Sequence, residues 1–310
     1  MRKLSREPIE PTAILSADLH IRSTIPRCRT DDFLGAQERK VQFVCELARE
    51  KGCPILVAGD VGDSSQWPNW LLEWFISLTK GVEIIVIPGQ HDLPNHRLDR
   101  IRKSALGVLG SSETVNLLSK GCYSFSLPKE KILIASFPYS TPLGHCRKGQ
   151  SQGFPLIAMT HQMVIDRPLW PGQVAQKGQS LLMRFSEYKL ILSGDNHQPF
   201  VSKYKDRILV NPGSFMRTKA GQIDHKPRVY FWWAKSNRLR PVFLPIEDDV
   251  VSREHVDQKE ALDERLLAYV KEAKTGYAVG LDFQTNLVNH IRANPLSDAV
   301  RNRLWEFVDG

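Results

Sequence analysis

The length, composition and charge of the chain set the first limits on its function. It has 310 residues, of which 42% are hydrophobic and 25% are charged, proportions typical of a soluble globular protein. No stretch approaches the roughly 20 apolar residues that a membrane span requires, and the basic first residues precede no apolar segment of a signal peptide. We therefore expect a cytoplasmic protein that contacts no membrane. The net charge of +8 favours a polyanionic partner, although many basic proteins bind no nucleic acid.

Short apolar segments recur along the chain, and each ends abruptly in polar, glycine or proline residues. Their β-branched content and short length favour buried strands. The predicted strands lie at 13–17, 55–58, 84–87, 132–135, 156–159, 190–192, 208–210, 229–233 and 241–244. Amphipathic helices are predicted at 37–51 and 68–80. The first half thus reads β-α-β-α-β and the second half is richer in strands, which predicts an α/β fold with two sheets and outer helices.

The character of the sequence changes near Asp248, where it becomes charged and helical in period. This change predicts a main domain over residues 1–247 and a C-terminal helical module over residues 248–310. Two apolar faces are predicted in the module, at Leu262, Leu266, Leu267 and Val270, and at Leu287, Val288 and Ile291. Amphipathic helices serve both as packing elements and as partner surfaces, so both roles stay open.

Polar side chains follow five of the predicted strands, at the position where open α/β sheets place their functional sites. Asp18 and His20 follow the first strand, and alternate residues of an extended chain point the same way. The others are Asp60 after the second strand, Gln90, His91 and Asp92 after the third, His161 after the fifth, and Asp195 and His197 after the sixth. A single Gly-Asp at a strand end is more often a capped turn, but five such positions together favour a site.

Carboxylate and imidazole ligands without thiolates suit Mn, Fe or Zn. Two adjacent divalent ions would activate water and bind a phosphoryl oxygen. The sequence therefore predicts a two-metal phosphoesterase.

The order of these motifs resembles that of the calcineurin-like metallophosphoesterases, over roughly residues 12–244. The motifs are Asp18-x-His20, Gly59-Asp60-x-x-Asp63, Pro88-Gly89-Gln90-His91-Asp92, a lone His161 and Gly194-Asp195-Asn196-His197. The resemblance implies a four-layered sandwich of two mixed β-sheets flanked by helices, with a small C-terminal helical appendage. Within the superfamily the chain is most similar to the SbcD-type nuclease subunits of double-strand-break repair, especially the recombination exonucleases of phages. That similarity includes Asn211-Pro212-Gly213-Ser214 followed by Arg217.

Carried over position by position, the resemblance implies a role for each residue of the motifs. One metal ion would be held by Asp18, His20, Asp60 and His197, and the second would share Asp60 and take Gln90, His161 and Asp195. His91 would protonate the leaving oxygen or stabilise the phosphoryl charge, with Asp92 orienting its ring. Gln90 replaces the family's Asn, and Asp195 replaces its usual His. Both are oxygen donors, so we expect two divalent ions, Mn or else Mg in preference to Fe or Zn.

The leading hypothesis is a Mn-dependent DNA phosphodiesterase, an exonuclease with endonuclease action on single strands as a further activity. Candidate phosphate contacts are Arg22, Arg27, Arg29, Arg97, Arg217 and Lys219. One alternative is a phosphatase or phosphodiesterase acting on small molecules or proteins, because the same ions serve monoesters and diesters. The other is a non-catalytic scaffold on a phosphoesterase fold.

The resemblance also implies two protein partners. One is an SbcC-type coiled-coil ATPase, contacted by the C-terminal module alone or with the helix that carries Trp67 and Trp70. The other is a second copy of the chain in a homodimer, for which the same two tryptophans are candidate surface residues.

Overall fold

The structure, a computed structural model, describes residues 10–119, 121–126, 131–146, 154–168, 175–257, 263–268, 291 and 297–309. The chain divides into two compact units, Met1–Val251 and Ser252–Gly310. Within the described ranges, no helix has the length and apolar character needed to cross a membrane.

The first unit contains all nine predicted strands and both predicted helices. In chain order its elements are β1 (Ala13–Ser16), α1 (Phe33–Lys51), β2 (Ile55–Ala58), α2 (Asn69–Thr79), β3 (Ile84–Ile87), α3 (Ala105–Ser111), β4 (Asn116–Leu117), β5 (Gly121–Ser126), β6 (Lys131–Phe137), β7 (Leu156–His161), β8 (Val164–Ile165), β9 (Gln176–Lys177), α4 (Gly178–Arg184), β10 (Leu190–Gly194), β11 (Phe200–Tyr204), β12 (Arg207–Asn211), β13 (Arg228–Trp233) and β14 (Arg238–Phe243). Helix α1 begins before the predicted helix because Asp32 caps it, accepting a hydrogen bond from Gly35 N at 3.0 Å.

Two six-stranded sheets form the body of this unit. Their strand orders are β14-β13-β1-β2-β3-β4 and β11-β12-β10-β7-β6-β5. The central strands of each sheet are parallel, and antiparallel strands close the outer parts. The predicted α/β sandwich of two mixed sheets flanked by helices is therefore confirmed.

Alternate residues of each central strand pack into different layers. One set, including Leu15, Leu56 and Ile157, fills the space between the two sheets. The opposite face of the first sheet packs against α1 and α2 through residues such as Val57 and Phe75. The opposite face of the second sheet packs against α4 in the same way. Because both faces of each central strand are covered, those strands are continuously apolar.

Residues 248–251 belong to the first unit, so the unit extends beyond residue 247, the predicted end of the main domain. Thr30 N donates to Val250 O at 3.2 Å, and Arg29 forms an isolated β-bridge with Val251. These pairings tie the end of the unit to the loop after β1.

The second unit contains helix α5 (Asp298–Asp309). Leu266 and Ile291 of the predicted apolar faces are buried, whereas Leu267 is exposed. The other members of those faces, Leu262, Val270, Leu287 and Val288, lie outside the described residues.

Candidate metal centre

The predicted ligands lie in sharp turns that follow the ends of β1, β2 and β10. Asp18, His20, Asp60 and Asp195 have φ angles of 49°, 47°, 49° and 76°, in the left-handed region that residues other than glycine rarely adopt. Backbone hydrogen bonds between the first two turns hold this conformation, such as His20 N to Asp60 O at 3.0 Å. Such conformations cost about 1–3 kcal/mol each and cluster at functional sites.

Asp18, His20 and His197 form one half of the centre. Their ligand atoms lie within 4.8 Å of one another, and the two Nε2 atoms of His20 and His197 are 3.1 Å apart. Burial lowers the pKa of His20 to about 3 and that of His197 to about 4. Both rings are therefore neutral at pH 7, the form in which imidazole binds a metal ion.

Asp60 and His161 form the other half, in which the backbone fixes the histidine ring. His161 Nδ1 donates to Ala58 O at 2.7 Å, so Nε2 faces Asp60 Oδ2 at 3.3 Å. Burial disfavours a charged ring, but the carboxylates of Asp60 and Asp18 outweigh it and raise the pKa of His161 to about 10. A divalent cation would replace the proton that these carboxylates attract.

Asp18 and Asp60 both lie centrally between these halves. Asp18 groups with His20 and His197 and also with Asp60 and His161. Asp60 groups in addition with His20 and His91. The sequence had assigned only Asp60 to a bridging position, whereas both carboxylates hold central positions in the structure.

Four buried ligand atoms of the centre have no hydrogen-bond partner among the described residues. They are Asp18 Oδ2, Asp60 Oδ2, Gln90 Oε1 and His161 Nε2. Buried polar atoms are normally paired, so their concentration here fits a cation site. Burial also raises the pKa of Asp18 to about 8, because its carboxylate lacks sufficient positive charge nearby. The donor set therefore fits divalent metal ions.

The two residues that depart from the family pattern contact each other. Gln90 Nε2 donates to Asp195 Oδ1 at 2.9 Å, which leaves the amide oxygen of Gln90 available as a ligand. Asp195 N also donates to Asp18 Oδ1 at 3.1 Å. The structure thus places both atypical residues beside the other predicted ligands.

His91 lies at the partly exposed edge of the centre. Its ring centroid is 5.0 Å from that of His20, and its backbone N–H donates to Asp60 Oδ1 at 2.9 Å. Its ring Nδ1 lies 3.0 Å from the backbone oxygen of Asp63, which can only accept a hydrogen bond. The ring is therefore oriented by a backbone carbonyl of the loop after β2.

Asp92 does not have the role that the sequence predicted for it. Its carboxylate accepts hydrogen bonds from the N–H groups of Gly62 at 2.9 Å, Gly89 at 2.9 Å and Val61 at 3.3 Å. The expectation that it orients the His91 ring is wrong, because Asp63 O occupies that position. Asp92 instead joins the loops after β2 and β3.

Two predicted DNA contacts, Arg29 and Arg217, are buried structural residues. Arg29 donates to both carboxylate oxygens of Asp31, at 2.7 and 2.5 Å, and to Arg217 O at 3.0 Å. Arg217 donates to Ile223 O at 3.3 Å and to Glu247 O at 2.5 Å. A DNA backbone cannot reach side chains enclosed in this way, so both assignments are wrong.

The other four predicted contacts reach solvent. Arg27 and Lys219 are exposed, and the charge of Lys219 helps to lower the pKa of His197. Arg97 pairs with Asp99 at 2.7 Å on the surface. Arg22 is partly exposed and pairs with Asp63 at 3.3 Å.

Asp63 has a role at the site that the sequence did not assign. Its Oδ1 lies 3.7 Å from His20 Nδ1, its Oδ2 pairs with Arg22, and its backbone oxygen contacts His91. The available signal was its place as the second aspartate of Gly59-Asp60-x-x-Asp63.

The sequence profile of the calcineurin-like phosphoesterases matches residues 14–199, more than half of the chain. The chain therefore belongs to this family, and we describe it as a metal-dependent phosphoesterase. A search of curated protein sequences gave no match.

Three solved structures illustrate the similarity in fold. A novel archaeal phosphodiesterase is 12% identical with a TM-score of 0.39, over 75% of this chain and 99% of that one. The protein TT1561 of Thermus thermophilus is 11% identical with a TM-score of 0.47, over 76% and 99%. The sulfate thiohydrolase SoxB of Thermus thermophilus is 14% identical with a TM-score of 0.49, over 77% and 58%.

Proposed function

We propose that the chain is a Mn-dependent DNA phosphodiesterase, an exonuclease similar to the SbcD-type nuclease subunits. The observation that carries this proposal is the partly exposed edge of the metal centre. There the His91 ring lies 5.0 Å from the His20 ring, and exposed Lys219 is near enough to affect His197. A phosphodiester at this edge would meet the ligands, a proton donor and a cation together.

The residues of the chain divide the chemical work among them. Metal ions bound by the carboxylates and imidazoles would supply Lewis-acid polarisation and acidify water. His91 directs Nδ1–H at Asp63 O, so the protonated ring presents Nε2–H to the leaving oxygen. Asp60 accepts a hydrogen bond from His91 N and keeps this ring beside the ligands.

The nuclease activity is tested by incubating the purified chain with end-labelled single- and double-stranded DNA. We expect cleavage with Mn, loss of cleavage with a chelator, and recovery when Mn is restored. His91→Ala should lower kcat by about 10²- to 10⁴-fold, the usual contribution of a general acid, without changing the metal content.

Equal cleavage by His91→Ala and the wild type would indicate a contaminating nuclease. Absence of both bound metal and turnover would favour the non-catalytic scaffold. The retained ligands of the centre, Asp18, His20, Asp60, His161 and His197, argue against that alternative.

A small-molecule or protein phosphoesterase is the second candidate. The burial of Arg29 and Arg217 favours it, because fewer cations remain for a polymeric phosphate substrate. Turnover of DNA, an aryl phosphodiester and an aryl phosphomonoester should be compared under one set of conditions. Faster turnover of either aryl ester than of DNA would replace the nuclease proposal.

We also propose that the second unit binds an SbcC-type coiled-coil ATPase. Exposed Leu267 is consistent with a partner surface there, and the described metal ligands all lie in the first unit. A chain truncated after Val251 should keep its metal content and lose co-purification with the ATPase. Retained co-purification would remove the assignment.

A homodimer through the start of α2 is the remaining proposal. Trp70 is 51% exposed, whereas the indole of Trp67 donates to Ser64 O and packs against Phe75. Trp70→Ala should shift the sedimentation coefficient from dimer to monomer. A wild-type monomer at all concentrations would exclude this assembly.

A further inference from the structure

A small cavity of about 50 Å³ lies in the first unit, between the loop after β1, helix α1 and the residues after β14. None of its lining residues is a predicted metal ligand. The charged residues of the lining are Arg29, Asp31, Arg39, Lys40, Arg217 and Glu247.

The lining contains more positive than negative groups. Its two carboxylates are already paired, Asp31 with Arg29 at 2.5 Å and Glu247 with Arg39 at 2.6 Å. Lys40 and Arg217 form no ion pair with any carboxylate of the described residues. Two positive charges of the cavity are therefore uncompensated.

These two cations also have donors that lack a partner. Lys40 is only 2% exposed, and among the described residues nothing accepts a hydrogen bond from its Nζ. Arg217 is 5% exposed, and its Nε is buried without a hydrogen bond although both Nη atoms are bonded. Burial, with nearby Arg29 and Arg217, also lowers the pKa of Lys40 to about 7. Unpaired buried donors are costly, so two of them around one cavity point to a missing acceptor.

We propose that this cavity binds one tetrahedral oxyanion, inorganic phosphate or the phosphate group of a nucleotide, between Lys40 and Arg217. The two unpaired cations match the charge of a phosphate dianion. A cavity of about 50 Å³ admits only a few heavy atoms, since one water occupies about 30 Å³ in the liquid. The rest of a nucleotide would lie outside, near exposed Arg39 and Glu247. The site needs no metal ion, so it is independent of the proposed nuclease activity.

Isothermal titration calorimetry with inorganic phosphate tests the site in the full chain, with and without a chelator. We expect phosphate binding that persists in the chelator and weakens by about tenfold or more in Lys40→Met. The matched control is Lys203→Met, which removes the same charge from an exposed position on β11. Absence of chelator-resistant binding in the wild type, or equal affinity in the two variants, would overturn the proposal.

Glu247→Gln provides a second variant at an exposed position, where folding is not at risk. It removes the competing carboxylate and keeps the backbone oxygen that accepts from Arg217. We expect tighter phosphate binding, and weaker binding would refute the assignment. Comparing inorganic phosphate with a nucleoside 5′-monophosphate distinguishes the two sources, because the tighter ligand identifies which one the cavity selects.

Discussion

At the scale of single residues, the His161 ring shows how the backbone prepares a ligand. The ring packs against Gly59, where a Cβ atom would lie 2.1 Å from His161 Nδ1. Gly59 also has a φ of +85°, a conformation that glycine adopts without steric cost. The glycine before Asp60 is therefore required by the approach of His161 as well as by the turn.

Gly59→Ala should displace the His161 ring and weaken metal binding by about 10- to 100-fold, the range seen when the support of a ligand is lost. Gly81→Ala is the matched control, because Gly81 has a φ of +76° and a Cβ atom added there would have no neighbour within 4 Å. Both variants carry the left-handed cost of about 1–2 kcal/mol. Metal analysis should separate them, and equal metal content would contradict the steric explanation.

The pH dependence of stability is a second prediction at the residue scale. The pKa of Lys40 in the folded chain, about 7, lies below its ordinary value of 10.5. Between these values the unfolded chain binds the extra proton, so the free energy of unfolding rises with pH over this window. The slope from Lys40 is on the order of 1 kcal/mol per pH unit.

Lys40→Met should lack this component when urea unfolding is followed at several pH values in buffers without oxyanions. The charged groups that act on Lys40, which are Arg29, Arg217, Asp31 and Arg39, stay charged throughout the window. Identical slopes in the variant and the wild type would show that Lys40 does not titrate in this way.

At the scale of elements, Asp92 joins the loops that carry Asp60 and His91. Its carboxylate takes N–H groups from Gly62, Val61 and Gly89, which belong to the loops after β2 and β3. Parallel strands bring these loops to one edge of the sheet, but only such a connection fixes their relative position. Asp92 is thus a positioning residue.

Asp92→Asn replaces one accepting oxygen by an amide that faces N–H groups. We expect a loss of stability of about 1–3 kcal/mol together with weaker metal binding. His91→Ala should instead lower turnover at unchanged stability, which separates the two roles in urea denaturation and metal analysis. Unchanged stability in Asp92→Asn would restore a direct role of its carboxylate in catalysis.

At the scale of the whole molecule, the net charge of +8 is distributed differently from the prediction. Of the six predicted phosphate contacts, only Arg22, Arg27, Arg97 and Lys219 reach solvent. The remaining two arginines are part of the folded interior. The structure therefore lowers the number of DNA phosphates that these residues can neutralise from six to four at most.

This number predicts the salt dependence of DNA binding. Four phosphate contacts give a slope of about −3.6, so raising salt from about 50 to about 200 mM should weaken binding about a hundredfold. Six contacts would give a loss of more than a thousandfold by the same relation. Affinity measured by fluorescence anisotropy on labelled DNA distinguishes them. Salt-independent affinity would contradict an electrostatic DNA surface.

The sequence alone was sufficient to predict the fold class and the location of the metal centre. Each central strand is buried on both faces, so its apolar segment is visible without any partner. The predicted ligands directly follow these strands, and a strand end fixes their position locally. Elements with weaker local signals were missed, among them α3, β5 and the partly exposed edge strand β11.

The tertiary structure decided what each polar group contacts. Whether Asp92 faces a ring or three N–H groups, and whether Arg29 and Arg217 face solvent or carbonyl oxygens, depends on segments far apart in sequence. Arg29 meets Arg217 across 188 positions, and no local pattern encodes that pairing. Local patterns establish which chemistry is present, and the long-range packing determines which groups take part in it.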